Sequence, residues 1–151
     1  NDLFKQLPNA NEMAWYVAKG DVHWDNSTQW VVYGTTHTGG IWLKRLSVIA
    51  QENGKTLADL KDDLPTISNS SRPSPISGKP ADSEIGNYFF LPALGYYLNG
   101  QLYVLGSGGS YWSSSVDPSN SEFAYFLNFT SDYVLMESVF RDNGCIAQPF
   151  E

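Results

Sequence analysis

Residues Gly109 to Phe150 read GSYWSSSVDPSNSEFAYFLNFTSDYVLMESVFRDNGCIAQPF. The stretch holds short alternating runs, polar turn residues and large apolar side chains, with almost no catalytic chemistry. From Ser121 to Phe129, Glu122, Ala124, Phe126 and Asn128 fall on one face of a strand. Phe123, Tyr125, Leu127 and Phe129 fall on the other; this set is apolar throughout and is the expected core face. Thr130, Ser131 and Asp132 make a polar turn. From Tyr133 to Phe140 the alternation resumes: Val134, Met136 and Ser138 share one face, and Tyr133, Leu135, Glu137 and Val139 the other. A half-buried strand has one plainly polar face, and here neither face is polar. Two accounts stay open. Either the strands are covered on both sides, or Phe126, Tyr133, Leu135, Val139 and Phe140 form an exposed patch rimmed by Asp132, Glu137 and Asp142. Exposed apolar patches mark recognition sites, and the second account is the favoured expectation.

Upstream of this stretch, Tyr88 to Tyr97 (YFFLPALGYY) is the strongest apolar run, interrupted by Pro92, which cannot donate to a ladder. Asn99-Gly100 signals a hairpin, and Gln101 to Leu105 is its return strand. Pro65 to Pro80 (PTISNSSRPSPISGKP) is read as one long Ser/Pro-rich surface loop, because the segments on either side are too small to fold alone. Asp82 can cap one helical turn through Ile85.

In the N-terminal half, Asn9 or Asn11 can cap a helix over Glu12 to Ala18, with Met13, Tyr16 and Val17 inward and Gly20 as the stop. Trp24 to Ser27 is expected to be a loop, Gln29 to Tyr33 a strand, and Gly34 to Gly40 a turn-rich connection. Ile41 to Ala50 (IWLKRLSVIA) is ambiguous and is read as a strand. Thr56 to Leu64 predicts a short helix with Leu57, Leu60 and Leu64 on one side, ended by Pro65. Short helices first and strands crowded at the end give an α+β domain rather than a parallel βαβ sheet. At 151 residues the chain is a single domain, 1–151, able to bury a core without staples.

Charged residues make up 17% of the chain and aromatics 15%, and the formal charge is −7. Lys79 and Arg141 are the only basic side chains after Arg72, so there is no basic stripe for nucleic acid or for an anionic membrane. No apolar run is long enough to span a bilayer. The single cysteine, Cys145, excludes an intrachain disulfide and has no histidine near it in sequence. His23 and His37 lie in no metal or catalytic motif. Asp117, Glu122 and Asp132 lack the spacing of a calcium loop. No cofactor or metal is expected. The chain starts at Asn1 without a signal-like segment, as expected of a mature domain or an excised fragment.

Several stretches stand together in a familiar order: Phe90 to Tyr97, Asn99-Gly100, Tyr111 to Ser114, Ala124 to Phe129 and Arg141 to Gly144. With Trp24-Asp25, Gln29-Trp30 and Gly39 to Leu43 in the leading half, the chain resembles C-type-lectin-like C-terminal domains of surface lipoproteins and fimbrial tip adhesins of gut bacteria. It is also similar to the Fibrobacter major paralogous domain and to the variable proteins of diversity-generating retroelements. The resemblance implies a C-type-lectin-like fold, an extracellular location on the bacterial cell surface, and a non-enzymatic role in ligand display. Phe126, Asp132, Tyr133, Leu135, Ser138, Val139, Phe140 and Asp142 sit where the retroelement family's template tends to read Asn.

The expectation is therefore a binding module that recognises a host or bacterial surface protein, or a glycan, through Phe126, Asp132, Tyr133, Leu135, Glu137, Val139, Phe140 and Asp142. The alternative is a structural domain of a pilus or lipoprotein whose patch packs on a neighbouring domain.

Overall fold

The computed structural model describes residues 7–65, 73–98, 101–117, 120–140 and 150. Helix α1 spans Ala10–Lys19. A reciprocal pair of bonds starts it: the Glu12 amide donates to Asn9 Oδ1 at 2.8 Å, and the Asn9 amide donates to Glu12 Oε1 at 2.9 Å. Glu12 in the first turn and Lys19 in the last both suit the helix dipole. Asn11 has a different task. Its side-chain amide donates to the Lys61 carbonyl at 3.1 Å, beside that of Asn9 at 2.9 Å. The two asparagines thus satisfy an otherwise orphaned carbonyl in the last turn of helix α3 (Leu57–Asp62). Trp15 Nε1 donates to the Asp63 carbonyl just beyond, at 2.8 Å. Met13, Ala14, Trp15 and Tyr16 are all buried, so the buried face of α1 is wider than a stripe of residues three and four apart.

Strand β1 (His23–Val32) and strand β2 (Thr35–Lys44) form an antiparallel ribbon. The turn between them is Tyr33-Gly34, with φ of 51° and 73°. Two successive positive φ values give the tight turn whose twist matches the strands. Trp24 to Ser27, expected as a loop, lies inside β1. The loop character survives as a register shift between Asp25 and Gln29. Asp25 causes it. Its Oδ1 accepts from the Ser27 amide (2.7 Å), the Ser27 hydroxyl (2.6 Å) and the Thr28 amide (3.2 Å). Its Oδ2 accepts from the Thr28 hydroxyl and from Trp42 Nε1 at 3.0 Å. Asp25 is buried, yet every donor aimed at it is matched. Gly34 to Gly40, expected as a connection, is mostly strand β2.

The run Ile41 to Ala50 divides. Ile41 and Leu43 are buried in β2, and helix α2 spans Leu46–Glu52 with Ile49 and Ala50 buried. The expected continuous strand is corrected at Lys44-Arg45, where the charged pair leaves the sheet and Arg45 starts the helix. In α3, Leu60 is buried but Leu57 is 54% exposed and Leu64 66% exposed. The predicted three-leucine face is corrected to one leucine, because the helix ends at Asp62 and Asp63 is already extended.

Strand β3 (Ile76–Ser77) lies within the expected Ser/Pro loop and pairs in parallel with His23-Trp24; residues 66–72 of that loop lie outside the described residues. The helical turn expected from Asp82 through Ile85 is a hydrogen-bonded turn closed on the Ala81 carbonyl, and a 3₁₀ turn, Ile85–Asn87, follows it. Strand β4 (Tyr88–Pro92) ends at the proline that the sequence marked as a break. Strands β5 (Tyr96–Leu98) and β6 (Gln101–Tyr103) pair as the hairpin predicted around Asn99-Gly100, two residues outside the described set. Strands β7 (Gly108–Asp117), β8 (Asn120–Thr130) and β9 (Val134–Phe140) form an antiparallel sheet in that order. The other larger sheet runs β3-β1-β2-β4, so the class is α+β with short helices ahead of antiparallel and mixed sheets.

The main core lies where α1 crosses the sheets. Met13, Tyr16, Ile41, Leu43, Ile49, Leu60, Leu91, Tyr111, Leu127, Phe129 and Val134 are fully buried in it. Each such side chain contributes about 1.5–3 kcal/mol relative to exposure. Phe150 packs its ring against Tyr16 (5.3 Å), Phe89 (5.7 Å) and Tyr111 (5.9 Å), joining α1, β4 and β7 through aromatic contacts.

Burial alone would raise the Asp25 carboxyl, but the bonds from Ser27, Thr28 and Trp42 outweigh it and hold the group well below the usual carboxylate range. A depressed folded-state value means stabilisation above the unfolded value of about 3.9, lost as pH falls below it. Asp25→Asn should lower the unfolding free energy by about 2–3 kcal/mol near neutrality, since an amide nitrogen would face donors. Urea titration should show the gap from wild type closing below about pH 4.

Candidate recognition surface

The three-stranded sheet places most of the residues predicted to bind. In β8, Leu127 and Phe129 face the main core, and across the ladder Leu127 meets Met136 and Phe129 meets Val134. The opposite face is also covered. Trp112, Ala124 and Phe126 pack with Leu7 in a second, smaller core, with the Trp112 and Phe126 rings edge to face at 6.2 Å. Phe126 is 7% exposed. The covered-on-both-sides account is therefore the correct one for Phe126, and the expectation that it is an exposed anchor is corrected. Leu7 and Trp112 supply the cover.

The remaining predicted residues scatter. Asp132 is exposed in the β8–β9 turn, where its amide donates to Thr130 Oγ1 at 3.1 Å. Tyr133 and Leu135 are half-buried, and Leu135 lies opposite Asn128. Glu137 is exposed opposite Phe126. The backbones of Val139 and Phe140 pair with Ala124 and Phe123. Asp142 and Cys145 lie outside the described residues. Among the described side chains of the turn and β9, the exposed ones are Ser131, Asp132 and Glu137.

Among the described residues, the exposed large apolar side chains are Leu57 and Leu64 at either end of helix α3, Ile76 in β3, and a group of four on the two hairpins. Val31 is 67% exposed and Tyr33 77% exposed on the β1–β2 ribbon; Tyr103 and Val104 are exposed at the end of β6. Along the ribbon, cross-strand pairs Gln29–Thr38 and Val31–Thr36 form a face exposed to solvent. Trp30 and His37 stack at 5.1 Å, and Trp30 Nε1 donates to the Gly39 carbonyl at 2.8 Å. From Asn26 to Trp42 no Asp, Glu, Lys or Arg occurs. On the second hairpin, Tyr96 and Tyr103 stack at 5.6 Å.

The hairpins meet at their bases. The Ala93 amide donates to the Gly39 carbonyl at 2.9 Å, and the Gly106 amide donates to the Ala93 carbonyl at 2.8 Å. Gly39 has φ of 106°, and a Cβ there would stand 2.4 Å from the Gly106 carbonyl oxygen, so the junction requires glycine. Val104 packs beside Gly108, which pairs with Thr130, so the second hairpin adjoins the turn carrying Asp132 and Tyr133.

Two of these exposed residues are strained. Tyr33 has φ of 51° and Val104 has φ of 53°. Positive φ is disfavoured for any side chain with a Cβ and is an outlier for a β-branched one. Sequence reasoning missed both. The available signals were an uncharged stretch of ribbon and large side chains one or two residues before turn glycines, at Tyr33-Gly34 and Val104-Leu105-Gly106.

A shallow groove of about 410 Å³ between the helices is lined by Glu12, Leu46, Ser47, Leu57, Ala58 and Lys61. Among the described residues no group of three His, Cys, Asp or Glu side chains is placed to hold a metal ion. No helix among them is long and apolar enough to cross a membrane. Comparison with protein-family models, curated proteins and solved structures finds no match to the chain.

Truncations should separate the covered from the exposed. Phe126→Ala should lose about 3–4 kcal/mol of stability, as large-to-small changes in a packed core do. Leu135→Ala should lose about 1 kcal/mol or less. Chemical denaturation of the two variants checks the difference.

Proposed function

We propose that the chain is a non-enzymatic ligand-binding domain of a bacterial surface protein, built on a C-type-lectin-like fold. Its recognition surface comprises the tip of the β1–β2 ribbon, the β5–β6 hairpin and the adjoining β8–β9 turn. The observation that carries this reading is the pair Tyr33 and Val104. Each is a large apolar side chain, exposed, and held at a backbone conformation that costs about 1–3 kcal/mol. Glycine would relieve that cost at either site. A ligand that covers them would gain from apolar groups whose backbone is already fixed in place.

The chemistry of the surface fits a polypeptide ligand. Val31 and Val104 are aliphatic and gain from a dry contact with other apolar groups. Tyr33 and Tyr103 are amphipathic anchors with few rotatable bonds. Asp132 is exposed in the adjoining turn and would favour basic groups on the partner. The two tyrosines could also stack on a glycan, the second class of ligand.

Tyr33→Gly and Val104→Gly test the proposal on an array of extracellular proteins and neutral glycans. Both variants should fold with unchanged or slightly raised stability, up to about 1 kcal/mol. Each should bind its best wild-type target about ten-fold or more weakly. Retention of full binding by both would overturn the assignment of this surface.

A further inference from the structure

Pro73 to Gly78 runs as a strap between the two larger sheets. At one end the Ile76 amide donates to the Val22 carbonyl and the Gly78 amide to the Trp24 carbonyl, both at 2.8 Å. At the other end the Pro73 carbonyl accepts from the Val134 amide, the first residue of β9, at 3.2 Å. His23 stands at the β1 end. Its Nδ1 lies 2.9 Å from the Gly78 carbonyl oxygen, and its Nε2 lies 3.3 Å from Asp21 Oδ2.

Both ring nitrogens of His23 therefore face acceptors. A neutral imidazole has one N–H and can serve one of them; the imidazolium has two and serves both. The same Asp21 oxygen accepts the Tyr88 hydroxyl, and the Tyr88 ring meets the His23 ring edge on at 5.5 Å. Burial works against the Asp21 charge, but the bonds from Tyr88 and His23 outweigh it and keep the carboxylate ionised below its ordinary range. Burial, then the bond to Asp21, pushes the Tyr88 phenol up, so it remains a donor. The other charges around the pair are Lys44 on β2, Glu52 at the end of α2 and Glu84 before the 3₁₀ turn. Lys44 is paired with Glu52 at 2.8 Å, which blunts its effect on the histidine.

We propose that His23 is a proton-operated clasp on the strap. Protonated, it ties Gly78 to Asp21 and holds the strap closed on β1. Neutral, it keeps one bond; the tautomer that serves the charged Asp21 acceptor releases the Gly78 carbonyl, and the strap loosens there and at Pro73 through the chain. The sign follows from the acceptors: the charged ring serves two and the neutral ring one, so the contribution is larger on the acid side. The device is independent of the ligand-binding reading.

Amide hydrogen exchange on the whole chain tests it. Protection factors of the Ile76 and Gly78 amides should be about two- to five-fold higher near pH 5.5 than near pH 8. In His23→Gln the ratio should fall to about one, because the amide does not titrate. A flat wild type, or an unchanged ratio in the variant, would overturn the clasp. Should the variant not fold, ring nitrogen NMR of the wild type decides. Two protonated ring nitrogens near pH 5.5 and one near pH 8 support the clasp; a neutral ring near pH 5.5 sinks it.

Discussion

The Asp25 carboxylate is the constraint on which the β1–β2 ribbon depends. Five donors converge on its two oxygens, four of them within the same strand and its bulge and one from the indole of Trp42 in the partner strand. The bulge turns β1 between Asp25 and Gln29, so that the part ahead of it packs into the core while the part beyond it projects. An isolated two-stranded ribbon is marginal in water. This one is anchored at its root by Asp25, further along by the Trp30–His37 stack, and at its base by the Gly39 carbonyl, which serves both Trp30 and Ala93.

How much of this was visible in the sequence depended on whether the deciding contact was local. Asn9 and Glu12 are three residues apart, and the helix they start was legible. The Pro92 break and the β5–β6 pairing were legible for the same reason, since proline and Asn-Gly act on their own neighbourhood. Trp24 to Ser27 looked like a loop because Asp25, Asn26 and Ser27 are turn formers. Nothing local says that the same side chains stitch a bulge inside a strand when Trp42 arrives from far along the chain. Lys44-Arg45 divided a run that apolar content alone left ambiguous.

The surface was harder to read than the fold. Alternation assigned Phe126 correctly to the face opposite Leu127, but it could not say that Leu7, more than a hundred residues earlier, covers that face. A strand with two apolar faces reports that both meet something, and whether that something is the chain itself is a tertiary fact. Conversely, Tyr33 and Val104 sit in stretches with ordinary turn glycines, and only their backbone angles mark them as unusual. Neither the class nor the core predicts where such strain falls; it is read from coordinates.

The neutrality of the ribbon has a kinetic consequence. With no formal charge from Asn26 to Trp42, the tip exerts no long-range pull, while the rest of the chain carries the net charge of −7. Encounters through the tip would proceed at the unsteered rate, about 10⁵–10⁶ M⁻¹s⁻¹, rather than at a steered one. Ionic strength would then reach the encounter only through the acidic body, which repels an acidic partner and attracts a basic one, and persistence of the complex would rest on how slowly its apolar contacts let go.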